Sequence, residues 1–524
     1  MSQPVSELLL NKIQKLINIL QPPWGLETDP PSQQSVLCPE IYTKPNASQG
    51  LLQGHYDTLE CPWGKSISNL VTVIIEGVYV SRKVVSSVNQ IMAEIDKTYP
   101  NIPILVSYAY RKIQPENTTN VKYIRKSSFE KKYDVLNKML EMVKTEYVFI
   151  ARDLTHFTNF SHIERLVRLV SSIPSVAAAG GGIRNRTGHW RPGCIQSSMR
   201  NYQLKMKYGY ELSINECMFC DIIESSFVIR TNVTREIKFS QINPEMLFID
   251  YFLRIKESGR ISASCPDIMF FHDVSIPLQE EKKLMWRNIA KTWSINEVLL
   301  DDDVKHTFTC VQLGIRCFRN ITMHYMLPLC CLHQYAKGMK YMTDIMEDSG
   351  VHYEMESGTM LGAVKFNNFL PWDIDGDVRF YASDIFKLEN VQDLLNQNGF
   401  KFLDIRYACP SAVGCFSFDT GDINIDVYAQ YVKTSSILPD DIKDISTRVK
   451  FHGNWYKSQV NPGLYVRNRY GPGCLKHAQS WRYTGLRTMH SQYKAGIFTS
   501  CPNPAFHSCL ENFPPDGNLD FYYE

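Results

Sequence analysis

Three aspartates at alternate positions, Asp373, Asp375 and Asp377, follow Pro371 and Trp372 in the stretch MESGTMLGAVKFNNFLPWDIDGDVRF, Met355 to Phe380. In an extended chain successive side chains alternate between faces, so the three carboxylates share one side and Ile374, Gly376 and Val378 take the other. Carboxylates aligned this way repel one another unless a cation shares them. Taken alone, such a stretch is more often a solvated turn or a calcium site. A second segment, INIDVY, repeats the device: Ile423, Ile425 and Val427 alternate with Asn424, Asp426 and Tyr428. Asp426 is then positioned to join the first three from a neighbouring strand, and Asp419-Thr420-Gly421-Asp422 supplies the hairpin turn before it.

The elements that must hold these residues lie just upstream. Leu332, Tyr335, Met339, Met342 and Met346 recur at helical spacing up to Gly350. VHYEME then alternates, with Val351, Tyr353 and Met355 on one face and His352, Glu354 and Glu356 on the other, which predicts a strand. Ser357-Gly358-Thr359 follows as a turn into a short helix, and the free N–H groups of a helix start are suited to phosphate oxygens. Downstream, Arg467, Arg469 and Lys476 cluster with Tyr465, Tyr470 and Trp481, either as ordinary surface or as part of a phosphate and acceptor groove.

A phosphate-cradling turn, an acidic strand and a distant aspartate on another strand make up the pattern of nucleotidyltransferase-fold enzymes. More narrowly, SGTMLGAVKFNNFLPWDIDGDV resembles the signature of the LicD family, and the wider layout, including NPGLYVRNRYGPGCLKHAQSWR at 461–482, is similar to its fukutin-type members. The resemblance implies Asp373, Asp375, Asp377 and Asp426 as ligands of Mg2+ or Mn2+, and Ser357, Gly358 and Thr359 beside the donor phosphates. Lys365 stands where the family commonly has Arg or Lys and would pair with a phosphate. The implied activity is metal-dependent transfer of a phospho-alditol or phosphocholine-type group from a CDP-linked donor to a hydroxyl of a glycan or glycoprotein, foremost ribitol 5-phosphate in protein O-glycosylation, with CMP leaving. A catalytically silent glycosylation scaffold and a bifunctional glycosyltransferase are the alternatives.

Cysteine spacing adds a second expectation. Cys310-x6-Cys317 and the vicinal pair Cys330-Cys331 offer four sulfurs, the number a closed structural zinc site needs. The fukutin-type pattern has a zinc loop of this kind at the same place, which implies structural Zn2+ within 310–331. A pair of disulfides or buried free thiols is the competing reading. Cys217-x2-Cys220 alone is as consistent with packing or disulfide partners.

The chain divides near residue 300. Leu70 to Val78 reads as a buried strand, Val84 to Ile95 as an amphipathic helix and Ile102 to Ala109 as a second strand. A helix at Tyr133–Val143, a strand ending at Asp153, a helix over Ile163–Val170 and an Ala-Ala-Ala-Gly-Gly-Gly segment at 177–182 continue the alternation. That order predicts a mainly parallel sheet covered on both sides, with ligands at the C-terminal strand ends. It resembles a GT-A (Rossmann-like) glycosyltransferase, in which a D-x-D after such a strand holds a metal, and FIDYFLRIKESG, Phe248 to Gly259, is similar to the helix that ends that core. Here Ala151-Arg152-Asp153 lacks the first carboxylate, and one carboxylate does not clamp a divalent cation against a diphosphate. The expected organisation is therefore an N-terminal segment at 1–60, a degenerate α/β glycosyltransferase-like stem at 61–300 and an α+β LicD-type domain at 301–524. A homo-oligomer through the stem is compatible with this layout.

Bulk properties narrow the partners. A net charge of +2 and a pI near 7.8 provide no global basic field, which argues against nucleic acid. The run Leu8 to Leu20 is interrupted by Asn11, Lys12, Gln14 and Lys15 and reads as an amphipathic helix rather than a membrane span. Fifteen cysteines and six N-x-S/T sequons, at Asn46, Asn117, Asn159, Asn185, Asn232 and Asn320, are compatible with a lumenal protein. The resemblance implies the Golgi or secretory lumen; the absence of a legible signal anchor makes the cytoplasm the alternative.

Overall fold

The fold is that of a computed structural model, which describes residues 36–43, 55–76, 82–108, 120–127, 129–272, 279–301, 303–317, 324–373, 375–397, 401–404, 415–419, 424–432, 434–476 and 500–513. The expected helix at 8–20, the turn residues Thr420 to Asp422, Ile374, Trp481 and the sequons at Asn46, Asn117 and Asn320 lie outside these. Two compact units form: one from Met1–Ser197, Met206–Ile289 and Leu300–Asp302, the other from Ser198–Lys205, Ala290–Leu299 and Asp303–Glu524. The expected division at residue 300 thus differs by two segments, 198–205 and 290–299, that belong to the second unit. Their backbone ladder explains this: Gln203, Leu204 and Lys205 pair in parallel with Glu297, Val298 and Leu299, which pair antiparallel with Thr307, His306 and Lys305.

The first unit is built on β1 (Val71–Glu76), β2 (Ile104–Tyr108), β3 (Val121–Arg125), β4 (Tyr147–Ala151), β5 (Val176–Asn185), β6 (Phe227–Arg230) and β7 (Ile261–His272), in the spatial order β7-β5-β6-β4-β1-β2-β3. The neighbours β4, β1, β2 and β3 are parallel, as are β5 and β7. Strand β6 runs antiparallel to both its neighbours, so the sheet is mixed rather than uniformly parallel. Its central strands are mostly apolar because both faces are covered: every residue of β4 is buried, and α1 (Arg82–Thr98), α2 (Lys132–Glu141), α3 (Ile163–Ser172) and α4 (Leu247–Glu257) flank the sheet in sequence. Helix α3 shows why the pattern works, since Ile163, Leu166, Val167 and Val170 recur at helical spacing and are all completely buried. Three disulfides fasten this unit, Cys38–Cys61, Cys194–Cys220 and Cys217–Cys265, so the two cysteines of the C-x2-C bond to different partners.

The second unit carries the acidic motif. A short helix α5 (Cys310–Leu313) and the long α6 (Leu329–Asp348) lead into β8 (Tyr353–Met355), α7 (Ser357–Phe366) and β9 (Asp375–Tyr381). Helix α8 (Ile385–Gln397), β10 (Lys401–Asp404), β11 (Cys415–Asp419) and β12 (Asn424–Gln430) complete a sheet ordered β8-β9-β12-β11-β10. Only β9 and β12 in this sheet are parallel, because helix α8 and the hairpin β10–β11 intervene between them. The apolar side of the sheet meets α6: Met339, Met342 and Met346 are fully buried in one core with Tyr353, Met355, Val378, Phe380, Ile425 and Val427. Gly376 lets Met339 pack close on the strand, since a Cβ at that position would stand 2.9 Å from the Met339 terminal carbon and displace it. The chain then forms the hairpin β13 (Arg448–Phe451) and β14 (Asn454–Lys457) and the helix α9 (Pro462–Tyr470). Among the described residues no helix is long and apolar enough to cross a membrane.

Candidate active site

The polar side of the second sheet collects what its alternation directs there. In the parallel register Asp375 is opposite Asn424, Asp377 opposite Asp426 and Arg379 opposite Tyr428, while Glu354 of β8 is opposite Arg379. Paired residues on adjacent strands share a face, so one register places carboxylates from both strands side by side. Strand β9 begins only at Asp375, two positions after Asp373, which precedes it.

Asp373 nevertheless joins the cluster, through Gly358. The turn from β8 into α7 holds Ser357 at φ +45°, a left-handed conformation that side-chain-bearing residues seldom adopt and that is found most often at functional turns. A Cβ on Gly358 would lie 2.5 Å from Asp373 Oδ2, so the bare glycine is what lets that carboxylate come against the helix start, whereas at 3.6 Å Asp377 Oδ2 would be in ordinary contact. The Gly358 N–H donates to Asp377 Oδ2 at 3.2 Å, and Thr359 Oγ1 accepts the Asp377 N–H at 2.7 Å. The Ser357 N–H donates to Tyr465 Oη at 3.2 Å. Ser357, Gly358 and Thr359 are therefore brought to the aspartates, but Gly358 and Thr359 use these groups to fix the aspartate strand, and Thr359 is almost fully buried. Lys365 sits about 12 Å further along α7, at 1.5 Å per residue. Its ammonium donates to the Lys476 carbonyl at 2.6 Å and lies 5.5 Å from the Trp372 ring.

Negative charge is concentrated here. Burial pushes the Asp377 carboxyl well above the usual carboxylate range, and Asp375, Asp426 and Glu356 push in the same direction, with Arg469 opposing them. The Tyr428 hydroxyl bridges the pair, donating toward Asp377 Oδ1 at 3.3 Å and Asp426 Oδ2 at 3.4 Å, and the Asn424 amide donates to Asp426 Oδ1 at 3.0 Å. Behind them Arg379 pairs with Glu354 at 3.1 Å and with Glu356 at 3.2 Å. Glu354 is buried, yet hydrogen bonds from His352 and Thr434 and the Arg379 charge hold it below its usual range. Carboxylate oxygens of this kind are the donors that a hard divalent cation takes.

Several of these residues escaped the sequence reading. Arg379 lies two positions after Asp377 on the same face and follows from the same period of two. Glu356 had been placed on the polar face without a role. Tyr465 and Arg469 belong to the cluster that the sequence offers either as ordinary surface or as part of a phosphate and acceptor groove, and no spacing rule connects them to a strand more than eighty residues earlier.

The four cysteines of the expected zinc loop also converge. Cys310 and Cys317 come from α5 and the turn after it, Cys330 and Cys331 from the first turn of α6, and all four are buried. They are bonded as Cys310–Cys330 and Cys317–Cys331, the disulfide alternative, with Cys310 Sγ 3.5 Å from Cys317 Sγ and 3.6 Å from Cys331 Sγ.

In the first unit Asp153 follows the C-terminal end of β4 at φ +49° and lines a cavity of about 200 Å3 together with Glu76, Lys132, Arg152 and Phe248. A second carboxylate, Glu76, thus shares that cavity, but both acids face the protein's own cations: Glu76 pairs with Lys132 at 2.7 Å and Asp153 with Arg152 at 3.5 Å. Each of the two acids thus has a cation of the protein beside it. Asp153→Asn is accordingly expected to leave metal-dependent turnover within about twofold of the unsubstituted protein; a loss of about tenfold or more, 1.36 kcal/mol of barrier, measured as product release at fixed Mn2+, would place chemistry in this cavity. Asp250 of α4, the acid within the FIDYFLRIKESG stretch, is fully buried and paired with Arg254 at 2.9 Å.

Comparison with known proteins agrees with the geometry of the second unit. Residues 350–463 match the family described as LicD/FKTN/FKRP, nucleotidyltransferase domain. Over 206 residues, 33% of the chain, the sequence is 22% identical to ribitol 5-phosphate transferase FKRP of Homo sapiens and 21% identical to that of Mus musculus. The chain spans 40% of the length of these curated relatives. Among solved structures, GalNAc-T7 with UDP, GalNAc and Mn2+ is 13% identical at a TM-score of 0.32, covering 44% of this chain and 49% of that one. The mannosyltransferase PcManGT from Pyrobaculum calidifontis, in complex with GDP-Man and Mn2+, is 11% identical at a TM-score of 0.28, covering 43% and 63%. Both are loose likenesses of fold. Residues 350–463, with the aspartates of β9 and β12 at their centre, form a nucleotidyltransferase domain of the LicD/FKTN/FKRP family.

Proposed function

We propose that this chain is a phosphotransferase of the LicD/fukutin type, moving a phospho-alditol or phosphocholine-type group from a CDP-linked donor to a hydroxyl of a glycan or glycoprotein. The observation that carries the reading is the parallel pairing of Asp377 with Asp426, which gathers acids from two strands against the Gly358 turn. Asp373, Asp375, Asp377 and Asp426 would hold Mg2+ or Mn2+, which when bound supplies the positive charge a diphosphate needs at the carboxylate face. The chain's own part is orientation: Gly358 and Thr359 fix Asp377, Asn424 fixes Asp426, and Tyr428 spans the two. In the transfer, the acceptor oxygen bonds to the phosphorus that carries the alditol or choline. The bond from that phosphorus to the bridging oxygen breaks with its electron pair staying on CMP, and the hydroxyl proton passes to a carboxylate of the face. The relatives' name, ribitol 5-phosphate transferase, makes CDP-ribitol the first donor to test.

Six disulfides among the described residues support a compartment that oxidises thiols, and the Golgi or secretory lumen is proposed on that ground. The first unit is read as a glycosyltransferase-like scaffold, supported by the internal pairing of Glu76 and Asp153 with Lys132 and Arg152. A homo-oligomer through it is part of the same proposal.

Structural Zn2+ at Cys310, Cys317, Cys330 and Cys331 is proposed for the reduced chain, where the convergence of the four sulfurs would serve four thiolates. Cys317→Ala is expected to cost roughly 2–4 kcal/mol of stability under either linkage, read as a lower Tm, and to weaken acceptor use. Elemental analysis separates the two: about one zinc per chain supports the metal, and none leaves only the disulfides.

The deciding experiment incubates purified protein with CDP-ribitol, CDP-glycerol and CDP-choline, Mn2+ and glycan acceptors, and follows CMP and the phosphodiester product by mass spectrometry. Product from one donor, abolished by EDTA and restored by Mg2+ or Mn2+, supports the reading. No turnover with any of them favours the silent scaffold, and turnover indifferent to chelation defeats the metal assignment.

A further inference from the structure

The parallel pairing of β1 with β4 gathers ionisable side chains at one edge of the first sheet. Val71 to Ile75 run in register beside Tyr147 to Ala151, so the two strands end together, and Glu76, Arg152 and Asp153 follow that last pair at the same C-terminal edge. Open α/β sheets take their ligands at this edge. The backbone is bent there: the Arg152 N–H turns back to the Ile150 carbonyl at 3.0 Å, and Asp153 holds φ +49°, in the left-handed region where residues with side chains cluster at functional turns.

The cavity of about 200 Å3 at this edge has two kinds of wall. Val88 and Ile91 of α1 and Leu136 of α2 are apolar and buried, whereas Glu76, Lys132, Arg152 and Asp153 supply acceptors and donors. Both cations lie over the Phe248 ring, the Arg152 guanidinium carbon at 4.6 Å and the Lys132 ammonium at 5.4 Å from its centre, and Phe227 and Phe239 wedge that ring from its edges. The polar wall is thus set before a ligand arrives, which limits the ordering cost of binding. Asp153, with a side chain 54% exposed, marks the side open to solvent.

One acceptor on this wall is unmet. Glu76 gives Oε2 to Lys132 at 2.7 Å, but its Oε1 is buried and has no hydrogen-bond partner among the described residues. Burial pushes the Glu76 carboxyl above its usual range against the pull of Lys132. A buried acceptor without a donor is destabilising, and a ligand O–H at Glu76 would relieve it. Size narrows the ligand, since 200 Å3 is below the roughly 300–1,000 Å3 of sites for drug-sized molecules and suits one ring rather than a sugar nucleotide. A pyranose complements these walls, with hydroxyls around its rim, C–H groups across a face and no net charge.

We infer that the first unit holds glycan: its cavity takes one neutral terminal pyranose, without metal, whose hydroxyls donate to Glu76 and Asp153 and accept from Lys132 and Arg152, with its C–H face on Val88 and Leu136. The site shares no residue with the aspartate face and stands or falls independently of the phosphotransfer reading.

The test is saturation-transfer NMR on the full chain in EDTA, titrated with the methyl glycosides of glucose, galactose, mannose, xylose, N-acetylglucosamine and N-acetylgalactosamine, which carry the blocked anomeric carbon of a glycan end, and with cytidine and uridine. The unsubstituted protein is compared with Val88→Phe, Glu76→Gln and Asp377→Asn, each with a thermal melt as folding control. At least one glycoside is expected to bind. Val88→Phe, which fills the cavity from its apolar wall, should abolish that signal, and Glu76→Gln, which keeps the shape, should weaken it by about tenfold through loss of a charge-assisted hydrogen bond. Asp377→Asn should bind the same sugar unchanged. If Val88→Phe lowers Tm markedly, Glu76→Gln carries the decision: affinity equal to the unsubstituted protein overturns the assignment. Sugar binding lost in Asp377→Asn but intact in Val88→Phe moves the sugar to the aspartate face and overturns it. Cytidine or uridine binding tighter than any glycoside, and lost in Val88→Phe, makes the occupant a nucleoside and overturns it. No signal from any glycoside overturns it as well and leaves the phosphotransfer reading standing.

Discussion

Asp377→Asn and Asp375→Asn are expected to lower turnover by about a thousandfold or more while the fold survives, because a cation held by this face would supply several kcal/mol of charge stabilisation and each 1.36 kcal/mol is tenfold in rate. Asparagine at 377 retains an oxygen for the Gly358 N–H and loses the charge and the acceptor that faces the Tyr428 hydroxyl. The stability effect has a definite sign. Burial and three neighbouring acids raise the Asp377 carboxyl, so its ionised form burdens the folded protein once pH passes the unfolded carboxylate value of about 3.9. Without metal, Asp377→Asn should therefore match or exceed the unsubstituted Tm at pH 7 and show no advantage at pH 3, where the carboxyl is protonated in both states. Mn2+ should raise the Tm of the unsubstituted protein and much less that of the variant. The measurements are CMP release and melts with and without Mn2+; normal turnover in folded Asp377→Asn would sink the assignment.

Gly358→Ala is the second large effect, and it separates positioning from ligation. The added Cβ would stand 2.5 Å from Asp373 Oδ2, so that carboxylate must swing away. Alanine is otherwise favoured in a helix by up to about 1 kcal/mol, so stability should change little. Turnover is expected to fall about a hundredfold, the scale of a misplacement near 1 Å, with the Mn2+ concentration for half-maximal rate rising. A variant with unaltered rate and metal dependence would show that Asp373 is not needed against the helix start. Reading this pair together with Asp377→Asn tells whether the turn or the charge sets the site.

The chain's local code was sufficient for much of this. Alternation placed Val351, Tyr353 and Met355 in the core and Glu354 and Glu356 opposite, and all five stand there, because period two is a property of any extended backbone. The helix stopping at Gly350, the helix beginning in the Ser357-Gly358-Thr359 turn and the gathering of Asp375 with Asp377 were likewise set by neighbours in sequence. What local spacing could not determine is register between strands and the return of a distant helix. That Asp426 meets Asp377 depends on the parallel pairing of β9 with β12 across forty-odd intervening residues, which is decided by burial of Val378, Phe380, Ile425 and Val427 against α6. That Thr359 faces a strand backbone, that the Lys365 ammonium meets the Lys476 carbonyl and that Arg469 and Tyr465 converge on Glu356 follow from the way α7 and α9 pack. The same holds for the cysteines: their spacing offered four sulfurs, but only the approach of α5 to the first turn of α6 brought them within bonding distance. A sequence fixes which groups a segment presents on each face, since that is backbone geometry; which faces meet is a property of the whole packed chain, since it is settled by the burial of apolar surface summed over elements far apart in sequence.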